Sequence, residues 1–158
     1  MRNQRVLCPV DFSDCSSAAL GVAKDLVRRS EGTLILVHVY TAPTFANAEM
    51  AFGLPSLLQQ VEADAEAALG KWSREAREQG VRRVETHAMC GAPWDEIVRL
   101  ATRRECDLIV MGTHGRSGLK HALIGSVAEN VVRHAPCSVL VVRGRDLTTR
   151  LGEGSTAG

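Results

Sequence analysis

The chain has 158 residues, of which 45% are hydrophobic, and 19 Lys and Arg stand against 18 Asp and Glu. This length suits one domain whose core is large enough to fold without disulfides or a structural metal. The formal net charge of +1 gives no electrostatic reason to expect nucleic acid or a membrane as a general partner, so any anion must be bound locally.

Short apolar runs rich in β-branched residues alternate with segments of helical period along the chain. The runs predict strands at 5–10, 33–40, 84–90, 107–112 and 138–143. Between them the periods predict four helices, the first capped by Ser13 or Asp14. The last helix is expected to begin at Ser126, because Glu129 follows it at the spacing of a reciprocal capping box. The alternation implies a parallel sheet, and the apolar second, fourth and fifth strands predict burial on both faces.

No internal repeat or domain boundary interrupts residues 1–143, which we interpret as one domain. Residues 144–158 are small and polar, which predicts a flexible tail. Segment 41–54 contains apolar side chains without a settled period, so it is either a lid or partner contact, or a loop packed on the core. Trp72 and Trp94 are expected to lie in the core.

The five cysteines are scattered and form no C-x-x-C pair, which predicts reduced, buried thiols. The apolar run before Asp11 is too short for a signal peptide or a membrane span. The histidines lack paired ligand spacing, which disfavours a zinc site. We therefore expect a cytoplasmic protein with no membrane partner, no nucleic-acid partner and no protein-bound metal.

The most informative stretch is 112–126, "GTHGRSGLKHALIGS", between the fourth strand and the last helix. Gly112 and Gly115 allow successive backbone N–H groups to converge on a phosphate. Gly125 and Ser126 open a helix whose N-terminus favours an anion. Basic side chains lie between these two devices: His114, Arg116, Lys120 and His121. The stretch predicts either a phosphate-binding loop or a long surface turn with solvated cations.

Asp11 ends the first strand, at the edge where ligands of open α/β sheets bind. Its carboxylate either accepts hydrogen bonds from a ribose or base, or holds the turn into the first helix. The chain contains neither G-x-x-x-x-G-K-[ST] nor a G-x-G-x-x-G after the first strand. These absences disfavour a common P-loop and a dinucleotide-binding fold.

With these motifs the chain resembles the nucleotide-binding universal stress proteins from residue 5 to about 143. The specific pattern is G-x-x-G, nine residues and G-[ST], supported by "VDFSDCSSAAL" and "GAPWDEIV". The resemblance implies a single-domain, open twisted five-stranded parallel sheet of order 3-2-1-4-5 with helices on both faces, a Rossmann-like nucleotide-binding α/β fold. In that order the first and fourth strands end side by side, so Asp11 and Gly112 would face one crevice.

The resemblance also implies a site for ATP, or for AMP or ADP, with Mg²⁺ or Mn²⁺ carried on the phosphates. Asp11 would contact the ribose or base, the backbone of Val39 the adenine, and Met111 the nucleoside. Other residues would line the adenosine or surround the phosphates. The complete set is Pro9, Val10, Asp11, Val39, Met111, Gly112, His114, Gly115, Arg116, Gly125, Ser126 and Val127.

A nucleotide-dependent regulatory protein of the stress response, acting on an unknown protein client, is the function that the resemblance implies. It also implies a homodimer through the last strand, Ser138 to Arg143, and an apolar edge strand independently favours pairing. Two alternatives stay open: a slow ATPase or phosphotransferase using the same site, and a nucleotide-independent dimeric scaffold. No residue has the positioning of a water as its sole sensible role, so binding is favoured over catalysis and no catalytic residue is assigned.

Overall fold

The structure is a computed structural model that describes residues 4–42, 53–114 and 124–144. Within these ranges strands and helices alternate as the sequence predicts. The elements are β1 Arg5–Pro9, α1 Asp14–Ser30, β2 Thr33–Tyr40, α2 Leu54–Glu78, β3 Arg83–Cys90, α3 Pro93–Arg103, β4 Leu108–Gly112, α4 Ser126–His134 and β5 Ser138–Val142. The predicted strand boundaries are confirmed to within one residue.

All these strands run parallel in one sheet of order β3-β2-β1-β4-β5. This order confirms the fold that the family resemblance implied. The chain starts at β1, builds outward through β2 and β3, and then returns to add β4 and β5 on the other side. The direction of winding therefore reverses between β1 and β4, and such a switch point is where open α/β sheets bind ligands.

Helices cover both faces of the sheet because alternate strand residues point in opposite directions. Leu34 and Val110 belong to a core cluster that includes residues of α1 and α2. Their chain neighbours Ile35 and Ile109 point to the opposite face and belong to a second cluster with residues of α3 and α4. The predicted core positions of Trp72 and Trp94 are confirmed, since each is partly buried against one of these clusters.

The prediction that β5 is buried on both faces is wrong. Its residues are all exposed or half-buried, and Leu140 is 39% exposed. The physical reason is position, because β5 is the last strand of the sheet and, among the described strands, pairs with β4 alone. Its apolar composition therefore indicates a surface strand at the edge of the sheet, not a central strand.

The cysteine prediction holds only in part. All five thiols are free, but Cys90 at the end of β3 is exposed, and Cys15 and Cys137 are half-buried. Burial raises the pKa of the Cys8 thiol to about 12. Cys8 and Cys106 are thus the buried thiols that the sequence predicts, and Cys90 is exposed because it stands at the end of an edge strand.

Segment 43–52 and residues 145–158 lie outside the described residues, so both interpretations of the segment and the flexible tail stay predictions. In the part of the chain that the structure describes, no helix combines the length and apolar character needed to cross a bilayer.

Candidate functional site

A crevice opens where β1 and β4 separate at their carboxyl ends. The ladder between them ends at Leu7 and Ile109, although β1 continues to Pro9 and β4 to Gly112. Beyond that point, among the described strands, Pro9 pairs only with β2, and Gly112 pairs only with β5. The sheet therefore parts at its switch point, and the predicted site residues Pro9 and Gly112 stand on its two sides.

Gly112 lies in close contact with the first turn of α1. A Cβ atom at this position would stand 3.0 Å from both the carbonyl carbon and the carbonyl oxygen of Cys15. Gly144 approaches the same residue, since its Cβ would stand 2.7 Å from the Cys15 Sγ. The sequence analysis did not predict Cys15 as a residue near the site. Its one indication in the sequence is Gly112, which packs on the Cys15 backbone.

The two ends of the glycine-rich loop meet at Thr113. The Gly125 N–H donates to the Thr113 carbonyl at 2.6 Å, and the Thr113 N–H donates to the Val142 carbonyl at 3.1 Å. A Cβ atom on Gly125 would stand 3.0 Å from that same Thr113 oxygen. The sequence analysis missed Thr113 because its backbone groups make these contacts, and no side-chain pattern announces them.

The remaining loop residues of the predicted site, Gly115 and Arg116, lie outside the described residues, as do Lys120 and His121. His114 is described and half-buried, and its Nδ1 stands 3.0 Å from the Thr113 Oγ1. The structure thus places the start and the end of the loop beside each other, at the carboxyl end of β4.

Helix α4 begins at Ser126 as predicted, but the predicted capping box is wrong. Gly125 is the N-cap, with φ −78° and ψ 160°, and Ser126 is the first helical residue. The Glu129 N–H donates to the Gly125 carbonyl at 2.9 Å, while the Glu129 carboxylate pairs with Arg133 at 2.8 Å. The physical reason is that the hydrogen bond to Thr113 holds Gly125, and not the serine, in the extended conformation of a cap.

The helices that start at the two sides of the crevice differ in their caps. In α1 the Ser13 hydroxyl accepts the Ser16 N–H at 3.3 Å. In α4 no side chain among the described residues caps the first turn. The first N–H groups of a helix have no acceptor within it and carry the positive end of its dipole. The α4 N-terminus is therefore the better anion-binding end.

Asp11 holds the turn between β1 and α1. Its Oδ1 accepts a hydrogen bond from the Ser13 N–H at 3.0 Å and a second from the Ser13 hydroxyl. The Asp11 N–H donates to the Ser16 Oγ at 3.4 Å. The turn-holding interpretation of Asp11 is therefore confirmed. Because a carboxylate accepts about four hydrogen bonds in all, these contacts are compatible with a second role at a ligand.

The backbone of Val39 points into the crevice. The Val10 N–H donates to the Val37 carbonyl at 2.8 Å, so Val37 directs its backbone polar groups toward β1. Groups two residues apart in a strand point the same way. Val39 thus directs its N–H and carbonyl toward the same side, beyond the point where β1 ends at Pro9.

The predicted apolar site residues divide between the two faces of the sheet. Val39, Met111 and Val127 pack on the α3 and α4 side, whereas Val10 is buried on the α1 and α2 side. Met111 is only 5% exposed, so most of its side chain belongs to the core. The crevice is therefore walled by core residues, and among the described residues its polar groups include backbone groups and the Asp11 carboxylate.

A cluster of charged side chains lies on the α3 side of β3, away from the crevice. Arg5 pairs with Glu85 at 3.3 Å, and an Arg104 nitrogen stands 3.3 Å from the His87 Nε2. Burial, and next to it Arg104, lowers the pKa of His87, which favours its neutral form. Within the described residues no three His, Cys, Asp or Glu are grouped so as to hold a metal ion.

Comparisons with known proteins match the same family over nearly the whole chain. The family model of the universal stress proteins matches residues 2–143. A universal stress protein of Methanocaldococcus jannaschii is 33% identical over 140 residues, which cover 89% of this chain and 82% of that protein. The solved structure of UspA, a universal stress protein from Lactobacillus plantarum, is 29% identical, with a TM-score of 0.81 over 90% of this chain and 99% of its own. A universal stress protein solved in complex with cAMP is also 29% identical, with a TM-score of 0.66 over 90% and 98% of the two chains.

Proposed function

The chain belongs to the universal stress protein family, and on that premise we propose that it binds ATP in the crevice between β1 and β4 and acts as a nucleotide-dependent regulatory protein of the stress response. The observation that carries the proposal is the α4 N-terminus, which has no side-chain cap among the described residues and is joined to the end of β4 by the Gly125 to Thr113 hydrogen bond. The relative solved with cAMP supports an adenine nucleotide as the ligand. AMP and ADP offer the same adenosine and fewer phosphates.

In this proposal the phosphates bind at the α4 N-terminus. The backbone N–H groups of the first turn and the Ser126 hydroxyl supply donors, and the helix dipole favours the negative charge. Gly112 and Gly125 fit this role, because a side chain at either position would meet backbone atoms at 3.0 Å. Gly115 and Arg116 are assigned to the phosphates from the sequence pattern alone. Mg²⁺ or Mn²⁺ is carried on the phosphate oxygens, which needs few protein ligands.

The nucleoside lies on the β1 and β2 side of the crevice in the same proposal. The Asp11 carboxylate, held by Ser13, accepts hydrogen bonds from the ribose hydroxyls. The N–H and carbonyl groups of Val39 face the base and supply a donor and an acceptor for the hydrogen-bonding edge of the adenine. The core side chains around them exclude water, which strengthens each of these hydrogen bonds.

The direct test is titration of the purified protein with ATP, ADP and AMP in a calorimeter, with Mg²⁺ present. Acid release and mass spectrometry of the untreated protein show whether it already carries a nucleotide. Gly125→Ala is expected to raise the Kd for ATP about tenfold, because the new Cβ disrupts the closure at Thr113 and displaces the helix end.

Gly21→Ala is the matched control for that substitution. Gly21 lies within α1, and a Cβ atom added there would meet nothing within 4 Å, so the same change is expected to leave the Kd unchanged. A wild-type protein that carries no nucleotide and does not bind ATP contradicts the proposed function. The regulatory part requires that ATP also slow amide hydrogen exchange outside the crevice, and protection confined to the crevice contradicts it.

We also propose that two chains associate through β5. Its outer edge pairs with no other described strand, and Leu140 on it is 39% exposed. Leu140→Lys is expected to convert a dimer into a monomer in sedimentation velocity, because a charge would replace apolar contact area. Leu57→Lys is the control, since Leu57 is 42% exposed but lies on α2. A wild-type monomer, or a Leu140→Lys dimer as tight as the wild type, argues against this interface.

A further inference from the structure

Phe12 adopts a backbone conformation that a bulky residue seldom adopts. It lies between Asp11 and Ser13 in the turn from β1 to α1, with φ 64°. This left-handed region is unfavourable for side chains with a Cβ, and residues persist there only when their surroundings hold them. Contacts of the Phe12 side chain must therefore compensate for the unfavourable backbone.

Two rings from different elements hold the Phe12 side chain. The His38 ring of β2 lies 4.8 Å from it between centroids, and the Trp72 ring of α2 lies 5.3 Å away in an edge-on arrangement. Centroid distances of this size and tilted or edge-on geometries are the favourable ones for aromatic pairs. We name Phe12, His38 and Trp72 the aromatic anchor.

The aromatic anchor also fixes the backbone just before Asp11. His38 Nδ1 stands 2.8 Å from the Val10 carbonyl, and the Val10 N–H donates to the Val37 carbonyl at 2.8 Å. Both polar groups of Val10 are thus held by β2. With Val10 held on one side and the Phe12 ring on the other, Asp11 has little freedom to move. The hydrogen bonds from Ser13 then set the direction of its carboxylate.

We infer that Phe12 is a positioning residue for the nucleotide: the aromatic anchor sets the Asp11 carboxylate in the direction that receives the ribose hydroxyls. The inference rests on the proposed function and extends it to a residue whose side chain lies against α2 and the core. It also makes α2, through Trp72, part of what determines nucleotide affinity.

The test compares ATP with 2′,3′-dideoxy-ATP, which lacks both ribose hydroxyls. A hydrogen bond to a charged group is worth enough that losing its alignment costs about tenfold in affinity. Phe12→Ala is therefore expected to raise the Kd for ATP about tenfold and to change the Kd for the dideoxy nucleotide less than about twofold. Trp72→Leu is expected to act in the same direction, and Phe12→Tyr, which keeps the ring, is expected to retain the preference for ATP.

Leu69→Val is the matched control, because Leu69 lies one turn before Trp72 on α2 and belongs to the same core cluster but is not one of the three rings of the anchor. It is expected to lower the melting temperature without changing the ratio of the two dissociation constants. Phe12→Ala and Phe12→Gly are both measured, because glycine adopts φ 64° without strain. The glycine variant is therefore expected to fold even if the alanine variant does not.

Four outcomes separate this inference from the proposed function. A wild-type protein that does not bind ATP removes the proposed function and the inference with it. A wild-type protein that binds both nucleotides equally well overturns the inference and the ribose role of Asp11 but leaves ATP binding in place. Loss of affinity for both nucleotides to the same extent in the Phe12 variants overturns the inference alone. Loss confined to ATP supports it.

Discussion

Gly112→Val is expected to abolish most ATP binding and to lower the stability of the fold. The new Cβ would meet the carbonyl group of Cys15 at 3.0 Å, and the valine methyl groups would reach further into the first turn of α1. Overpacking of this kind costs about 1–3 kcal/mol in the free energy of unfolding. Cys15 cannot withdraw easily, because Ser13 caps this turn through the Ser16 N–H.

The same displacement changes the site. Moving the first turn of α1 moves the turn that carries Asp11, while the valine itself separates β4 from α1 beside the proposed phosphate site. We expect the Kd for ATP to rise about 100-fold, which corresponds to about 2.8 kcal/mol. Calorimetric titration and thermal unfolding by circular dichroism measure the two effects on the same sample.

Gly21→Val serves as the control for this prediction, since it introduces the same side chain into α1 at a position with open space around the Cβ. Valine and glycine have similar helix propensities, so the free energy of unfolding is expected to change by less than about 0.5 kcal/mol. A Gly112→Val protein with wild-type stability and wild-type ATP affinity would show that the contact between β4 and α1 is unimportant to the site.

The fold follows from the sequence because its signals are local and repeated. Each strand is a short apolar run and each helix carries an apolar face, so alternation alone indicates a parallel sheet with helices. The order of the strands did not follow from those patterns; the family resemblance implied it, and the structure confirmed it. Strand burial was the weaker inference, because the apolar residues of β5 do not reveal whether a strand stands inside a sheet or at its edge.

Part of the geometry of the candidate site was predictable, because glycine marks a close backbone approach at Gly112 and Gly125. Thr113 and Phe12 were not predictable, for two different reasons. Thr113 acts through its N–H and carbonyl, which every residue except proline possesses. Phe12 is notable for its positive φ, and a phenylalanine gives no sign of that conformation in the sequence.

The start of α4 at Ser126 was predicted correctly, but the predicted capping box does not form, since Gly125 is the N-cap. The Ser126–Glu129 spacing predicted the start of α4, but a bond from outside the helix, at Thr113, decides which residue is the cap. The error bears on function, because the Ser126 hydroxyl does not cap the Glu129 N–H as the box requires. The proposal therefore assigns that hydroxyl to a phosphate.

Asp11→Ala is expected to raise the Kd for ATP about 100-fold, because the two hydrogen bonds that we propose between the ribose hydroxyls and this carboxylate would be lost together. The same change removes the acceptor for the Ser13 N–H and hydroxyl. The turn into α1 is thereby weakened, with an expected loss of about 1 kcal/mol in the free energy of unfolding, similar to that of a lost helix cap.

Asp11→Asn separates these two effects. The asparagine Oδ1 still accepts from the Ser13 N–H, so the melting temperature is expected to stay within about 2 °C of the wild type. Its neutral amide forms weaker hydrogen bonds to the ribose, so the Kd is expected to rise about tenfold. If Asp11→Ala lowers stability and leaves ATP affinity intact, Asp11 only holds the turn, and the nucleoside must be recognised by the backbone of Val39 and its neighbours. Loss of affinity in Asp11→Asn at unchanged stability supports a carboxylate that both holds the turn and binds the ribose.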